Sequence, residues 1–164
     1  MFLKLSTRIL GIAAAAMLIA ACSSTKTTDN GGGTGGNDGV TLTDQETWTQ
    51  QVGDRVFFDL ERYDVKPEGM AVLQRQAEFL ASKPNYTLVI EGHCDERGTR
   101  EYNIALGDRR ANAVREALIS FGVDRARLST ISYGKDKPEC GDSNESCWST
   151  NRRGVSVLSG GTGS

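Results

Sequence analysis

The run from Val89 to Arg115, V-I-E-G-H-C-D-E-R-G-T-R-E-Y-N-I-A-L-G-D-R-R-A-N-A-V-R, constrains the fold of this chain more than any other stretch. The apolar and β-branched residues Thr87, Leu88, Val89 and Ile90 stop at Glu91-Gly92, a loop dense in charge follows, and a helical pattern begins near Arg100. A strand that feeds a polar loop and then a helix is a common setting for a binding site, because the two regular elements hold the loop in place.

The spacing in the helix locates its buried side. Ala111, Val114, Leu118 and Phe121 recur at three- and four-residue steps and continue a stripe through Gly107 and Ile104. Asn103, Leu106, Arg110, Ala113 and Ala117 form the adjacent row, so Arg110 lies at the margin of the core while Arg109 and Glu116 face water. A guanidinium at that margin requires an anion. Asp95, in the preceding loop, is within reach when the chain doubles back. Spacing leaves two arrangements open: an Asp95–Arg110 ion pair that closes the loop, or a split pair in which Asp95 takes a ligand ammonium and Arg110 a ligand carboxylate. A forked arginine–carboxylate interaction contributes about 1.5–3 kcal/mol in either role, so magnitude does not choose between them.

Other segments supply the rest of a small domain. R-V-F-F-D-L predicts a first strand over about 54–60; Pro67 is suited to the first turn of a helix whose stripe is Met70, Leu73, Ala77 and Leu80, with Phe79 at its margin. Lys83-Pro84-Asn85 ends that helix. A second strand follows at 86–91, the second helix ends at Gly122, and a turn at 124–127 leads to a third strand at 128–133. The last strand is expected at 153–158, with a frayed S-G-G-T-G-S after it. The order β-α-β-α-β-β predicts a two-layer α+β domain with helices on one face of a four-stranded sheet.

The motif G-H-C-D-E-R-G-T-R-E-Y-N-I-A-L-G-D-R-R-A-N-A-V, preceded by V-F-F-D-L-E-R-Y-D-V and followed by I-S-Y-G-K-D-K-P and N-R-R-G-V, resembles the peptidoglycan-associated lipoprotein (Pal) family, a branch of the OmpA-like C-terminal domains. The likeness runs from about Arg55 to Leu158. It implies a mixed order of strands, and it implies the split pair: Asp95 accepting the ammonium and Arg110 clamping the carboxylate of meso-diaminopimelate in the peptide stem of peptidoglycan. It also implies that Asn103 and Leu106 shape the pocket and that a first loop with Glu61, Tyr63 and Asp64 lines another wall. Here the chain has Leu60-Glu61 where relatives often have Phe-Asp. Arg97, Asn151 and Arg152 remain open between scaffold and pocket. Family members often carry a small residue at the position of Cys94, which reads as a packed side chain.

The N-terminus reads as an address. Lys4 and Arg8 precede the apolar run Ile9 to Ala21, short for a membrane span and suited to a secretory signal. Its end, I-A-A-C, resembles a bacterial lipobox, which makes 1–21 a signal peptide and Cys22 the lipidated residue; Ser23 after it resembles sequences sorted to the outer membrane. Several acyl chains, at about 0.8 kcal/mol per buried methylene, make such an anchor essentially permanent. From Cys22 to Asp44 the chain is polar and glycine-rich around G-G-G-T-G-G, with almost nothing to bury, and reads as a flexible tether of about 25–30 Å root-mean-square span. The domain proper is expected over 45–158 and a disordered tail over 159–164.

A signal of this kind directs the chain to an oxidising compartment, where cysteines pair. Cys22 is assigned to lipid, and Cys140 and Cys147, bracketing the polar loop G-D-S-N-E-S, are predicted to form a disulfide contributing about 2–3 kcal/mol. Cys94 is then unpaired.

Several function classes fit poorly. The chain carries a formal net charge of −2, and without Lys4 and Arg8 it has 17 basic against 21 acidic residues, no footprint for nucleic acid. His93, Cys94 and Asp95 have residue types for thiol catalysis, but successive positions on an extended segment point to opposite sides. A zinc site from the single His with distant cysteines lacks any C-x-x-C spacing. Asp95 and Glu96 both read as exposed, without the contrast in surroundings an acid–base pair needs. No catalytic centre, metal or cofactor is expected. The resemblance implies an outer-membrane lipoprotein facing the periplasm that grips peptidoglycan non-covalently, with TolB and other Tol proteins as partners in the Tol-Pal system, supporting envelope integrity and cell division. An OmpA-like wall-binding lipoprotein outside the Tol system is the alternative.

Overall fold

The computed structural model describes residues 43–160. The expected signal peptide, the expected lipidation site Cys22 and nearly all of the expected tether lie outside the described residues, as do residues 161–164 of the expected tail.

The elements in chain order are α1 (Asp44–Thr47), which runs on as a wider π-helical turn Trp48–Val52; β1 (Arg55–Phe57); α2 (Pro67–Ser82); β2 (Tyr86–His93); α3 (Arg100–Ser120); a 3-10 turn Arg125–Arg127; β3 (Leu128–Gly134); α4 (Glu145–Asn151); and β4 (Arg153–Gly160). The strands form one mixed sheet in the order β1-β4-β2-β3. β4 is antiparallel to both β1 and β2, and β3 is parallel to β2. α3 packs against β2 and β3, and α2 against β1 and α3.

Local chemistry accounts for the helix limits. Pro67 occupies the first turn of α2, where a missing N–H costs nothing, and Thr99 caps α3 by accepting from the Tyr102 N–H at 3.2 Å. After α3, Gly122 has φ 94 and the Val123 N–H returns to the Leu118 carbonyl at 3.1 Å, a left-handed stop that suits glycine.

The core lies between this helical layer and one face of the sheet. Leu73, Ala77 and Leu80 of α2, Ala111, Val114 and Leu118 of α3, and Val56, Leu88 and Ile90 of the sheet are buried together, each large aliphatic side chain contributing roughly 1.5–3 kcal/mol. β2 and α3 cross very closely where Gly92 meets Gly107: a Cβ on Gly92 would stand 1.8 Å from the Gly107 carbonyl oxygen.

The structure departs from the sequence-based expectations in identifiable ways. Phe121 is 37% exposed, because α3 has already ended at Ser120 and its side chain no longer follows the buried stripe. β1 is shorter than expected and β4 longer, with Ser159 and Gly160 paired to Thr87 and Tyr86 in place of fraying. Two helices have no counterpart in the expected order. α1 and its π turn bring Trp48 into the core, where its indole N–H donates to the Ser156 carbonyl at 2.9 Å. α4 occupies the region between Cys140 and β4, and Cys140 and Cys147 are disulfide-bonded, as expected.

Candidate binding cleft at the end of strand β2

β2 delivers the loop 94–99 to the N-terminal half of α3, and a small, partly open cleft of about 80 Å³ forms there. Its walls include Leu60, Glu61, Asp95, Asn103, Leu106 and Arg110, together with Cys94, Arg97 and Arg152.

Arg110 has no exposed surface, and its guanidinium is fixed by three main-chain carbonyls: Nε donates to Arg62 at 2.8 Å, Nη1 to His93 at 2.8 Å and Nη2 to Asp59 at 3.0 Å. The same group lies 5.2 Å from the centre of the Phe58 ring. Carbonyl oxygens satisfy hydrogen bonds but not charge, so the cation is held without a counter-ion of its own. Burial pulls its pKa down from the ordinary arginine value, yet a guanidinium remains charged at any physiological pH. Of five N–H groups three are used, leaving one on each terminal nitrogen.

Asp95 is 4% exposed, which overturns the expectation of an exposed carboxylate: the loop folds under the N-terminus of α3 and carries it inward. Its partners are Arg97, whose main-chain N–H and Nε reach Oδ1 at 3.1 and 3.2 Å and whose Nη2 reaches Oδ2 at 2.6 Å, and Arg152, whose Nη1 reaches Oδ2 at 3.2 Å. Burial pushes the Asp95 carboxyl upward, but the hydrogen bonds from Arg97 and Arg152 outweigh it and the net shift is downward, so the group is ionised. Asp95 and Arg110 line one cleft and form no ion pair with each other among the described residues, which removes the loop-closing pair as a reading of these two charges.

The remaining walls follow from loop chemistry. Asn103 donates its amide to the carbonyls of Arg97 and Thr99 at 2.8 and 3.0 Å, tying the loop to α3, and Leu106 supplies an apolar side. Glu61 reaches the cleft with φ 57, a left-handed conformation that costs a non-glycine residue roughly 1–2 kcal/mol. Tyr63 does not line the cleft. The carbonyls of Asp59 and Arg62 are drawn to Arg110, which turns the next residue outward, and the Tyr63 ring lies 5.7 Å from the Arg109 guanidinium, 48% exposed.

Of the three residues that the sequence left undecided, Asn151 is scaffold, accepting from the N–H groups of Glu139 and Cys140, and Arg97 and Arg152 line the cleft. Arg97 follows Asp95 by two positions, a spacing that lets a loop arginine fold back on a carboxylate. Arg152 approaches from 57 residues away and carries no such local signal. Both arginines touch α4: Arg152 Nη2 donates to Glu145 at 2.5 Å, and the Arg97 guanidinium stacks 4.1 Å from the centre of the Trp148 ring.

No catalytic pairing arises from His93 and Cys94. The Cys94 thiol donates toward the Asn103 carbonyl at 3.4 Å, and burial pushes its pKa up, keeping it protonated. The His93 ring lies against Glu91 at 3.2 Å and Tyr133 at 5.5 Å between ring centres. No group of three or more His, Cys, Asp or Glu among the described residues is arranged to hold a metal ion.

Known proteins share both the pattern and the fold. The OmpA family matches residues 57–152. The peptidoglycan-associated lipoprotein of Agrobacterium fabrum is 52% identical over 126 residues, covering 77% of this chain and 71% of that protein. That of Rhizobium meliloti is 54% identical over 129 residues, covering 79% and 73%. The crystal structure of the peptidoglycan-associated lipoprotein from Burkholderia pseudomallei superposes with a TM-score of 0.63 at 43% identity, over 65% of this chain and 90% of that one. The C-terminal domain of Helicobacter pylori MotB, 22% identical with a TM-score of 0.60, shares the fold. With the family match extending over more than half of the chain and relatives about half identical along most of their length, the chain belongs to the OmpA family and, within it, to the peptidoglycan-associated lipoproteins, which are not a family of enzymes.

Proposed function

We propose that this domain grips peptidoglycan without a covalent bond, by taking the free end of a meso-diaminopimelate residue between Asp95 and Arg110. The observation that carries the reading is the separation of the two charges: a buried carboxylate and a buried guanidinium line one cleft, and neither neutralises the other. A side-chain end bearing both an ammonium and a carboxylate complements that arrangement, whereas lysine offers only the ammonium. The two spare N–H groups of Arg110 receive the ligand carboxylate. The ligand ammonium takes over the two carboxylate positions that the Arg97 side chain fills, while Arg152 and the Arg97 main-chain N–H keep theirs. One cation replaces another, so the charge balance at Asp95 is preserved.

The wider reading joins this grip to an anchor. Cys22 carries lipid in the outer membrane, the polar segment after it spans toward the wall, and the domain holds the stem peptide. The names of the relatives support a lipoprotein that associates with peptidoglycan. Membership of the Tol-Pal system, with TolB as a partner that competes for the domain, and a role in envelope integrity and division extend that reading. The test is a pull-down of the domain from Thr41 onward with wall fragments that carry either diaminopimelate or lysine at the third stem position. Retention of the diaminopimelate fragment alone is expected; equal retention of both would sink the assignment.

A further inference from the structure

We infer that α4, clamped by the Cys140–Cys147 disulfide, is a positioning element for the cleft, acting through Glu145 and Trp148, so that ligand affinity depends on the oxidation state of that disulfide. The inference rests on the reading of the cleft as a binding site for a doubly charged side-chain end.

Neither Glu145 nor Trp148 lines the cleft; Glu145 touches Arg97 and Arg152, which do, and Trp148 touches Arg97. Glu145 accepts from Arg152 Nη2 at 2.5 Å and lies 3.8 Å from Arg97. Trp148 presents its ring to the Arg97 guanidinium at 4.1 Å and donates its indole N–H to Glu96 at 2.9 Å. Both cations that hold Asp95 are therefore held from behind by one seven-residue helix. When a ligand ammonium takes the Arg97 positions on Asp95, the Trp148 face and the Glu145 carboxylate keep that displaced guanidinium paired beside the cleft.

A helix this short does not persist by itself. Asn144 caps its start by accepting from the Cys147 N–H at 3.0 Å, and Asn151 at its end accepts from the N–H groups of Glu139 and Cys140 at 2.8 and 3.0 Å. The covalent tie is the disulfide from buried Cys147 to Cys140. The segment carrying Cys140 is itself fastened to the sheet, since Glu139 pairs with Arg55 at 2.7 Å and Arg153 at 3.0 Å. A continuous path thus runs from β1 and β4 through the disulfide to α4, and from α4 through two arginines to Asp95.

A phosphine reductant opens the link: phosphorus supplies two electrons and becomes the oxide, water supplies the oxygen and the protons, and two thiols result. The experiment titrates a diaminopimelate-containing stem peptide against the domain from Thr41 onward, oxidised and phosphine-reduced, and against C140S/C147S and E145Q. Reduction, the serine pair and E145Q are each expected to weaken binding about threefold to tenfold while circular dichroism stays that of the folded domain. E145Q is expected to add little once the disulfide is open, because both changes act through the same contact. Equal affinity of the oxidised and reduced domains overturns the inference, as does an E145Q loss that adds in full to that of reduction. If the serine pair fails to fold, E145Q and W148A in the oxidised domain decide, and unchanged affinity in both overturns it. Absence of binding by the oxidised wild type overturns the zwitterion reading itself, and this inference with it.

Discussion

Arg110 holds the loop and faces the cleft at once. Its three carbonyl partners lie in the loop after β1 and at the end of β2, so replacing it removes a structural fork as well as a ligand contact. R110A is expected to lose about 2–4 kcal/mol of stability in urea denaturation, because the partners become unsatisfied, in addition to losing wall-fragment binding. Full stability in that variant would deny the structural role. Asp95 permits a cleaner separation. D95N keeps shape and several hydrogen bonds while removing the charge, so binding to wall sacculi should vanish with the circular-dichroism spectrum retained; co-sedimentation at the wild-type level would refute the charge assignment. His93, the single histidine of the chain, gives a pH signature. It is 2% exposed with no partner for Nδ1 among the described residues. Burial first, and then the charge of Arg153, lower its pKa from 6.5, against the opposing hydrogen bond to the Glu91 carboxylate. Tyr133 of β3 and the Lys137 segment complete its surroundings. The folded chain thus keeps this imidazole neutral at pH values where the unfolded chain protonates it. Its contribution is present above about pH 6.5 and is lost as the pH falls below that value. Denaturation measured at pH 7.5 and 5.5 should show a decline that H93Q flattens; an identical decline in H93Q would assign the effect elsewhere.

Among elements, the crossing of β2 and α3 is the contact that places the charged loop. Gly92 and Gly107 allow the strand and helix backbones to touch, and Ser132 of β3 donates to the Ile104 carbonyl at 2.7 Å beside them. A methyl group on Gly92 must push α3 away from the sheet, and with it Asn103, Leu106 and Arg110. G92A is expected to cost roughly 1–3 kcal/mol and to weaken ligand binding together with stability, which thermal unfolding and titration would check. The periodicity of α2 and α3 revealed most of this layer, since Leu73, Ala77, Leu80, Ala111, Val114 and Leu118 are buried as their spacing predicts. α4 escaped because six polar and small residues around one Trp carry no apolar stripe. Its order comes from Asn caps, a disulfide and ion pairs with partners far along the chain.

For the molecule as a whole, the core is closed by the first residues of the domain, ahead of β1. Trp48 is completely buried, packs edge-on to Phe79 at 5.3 Å between ring centres and hydrogen-bonds β4. The short segment between the expected tether and β1 therefore closes the core. W48A is expected to destabilise the domain by about 3–5 kcal/mol, and a chain starting at Asp54 should unfold at markedly lower temperature than one starting at Thr41. Equal melting temperatures for those two lengths would show that α1 is dispensable.

The identities and spacings of the residues alone determined the two long helices, most of the stripe each buries, the loop that carries Asp95 and the pairing of Cys140 with Cys147. Each of these depends on neighbours within one or two turns or on a short ring, so the signal is local. Only the folded chain decided that Asp95 is buried, that Arg97 and Arg152 hold it, that main-chain carbonyls claim three N–H groups of Arg110, that Tyr63 turns away and that Trp48 belongs to the core. Those outcomes join residues tens of positions apart, and the distances that select one partner over another exist only once the sheet has brought the loops together.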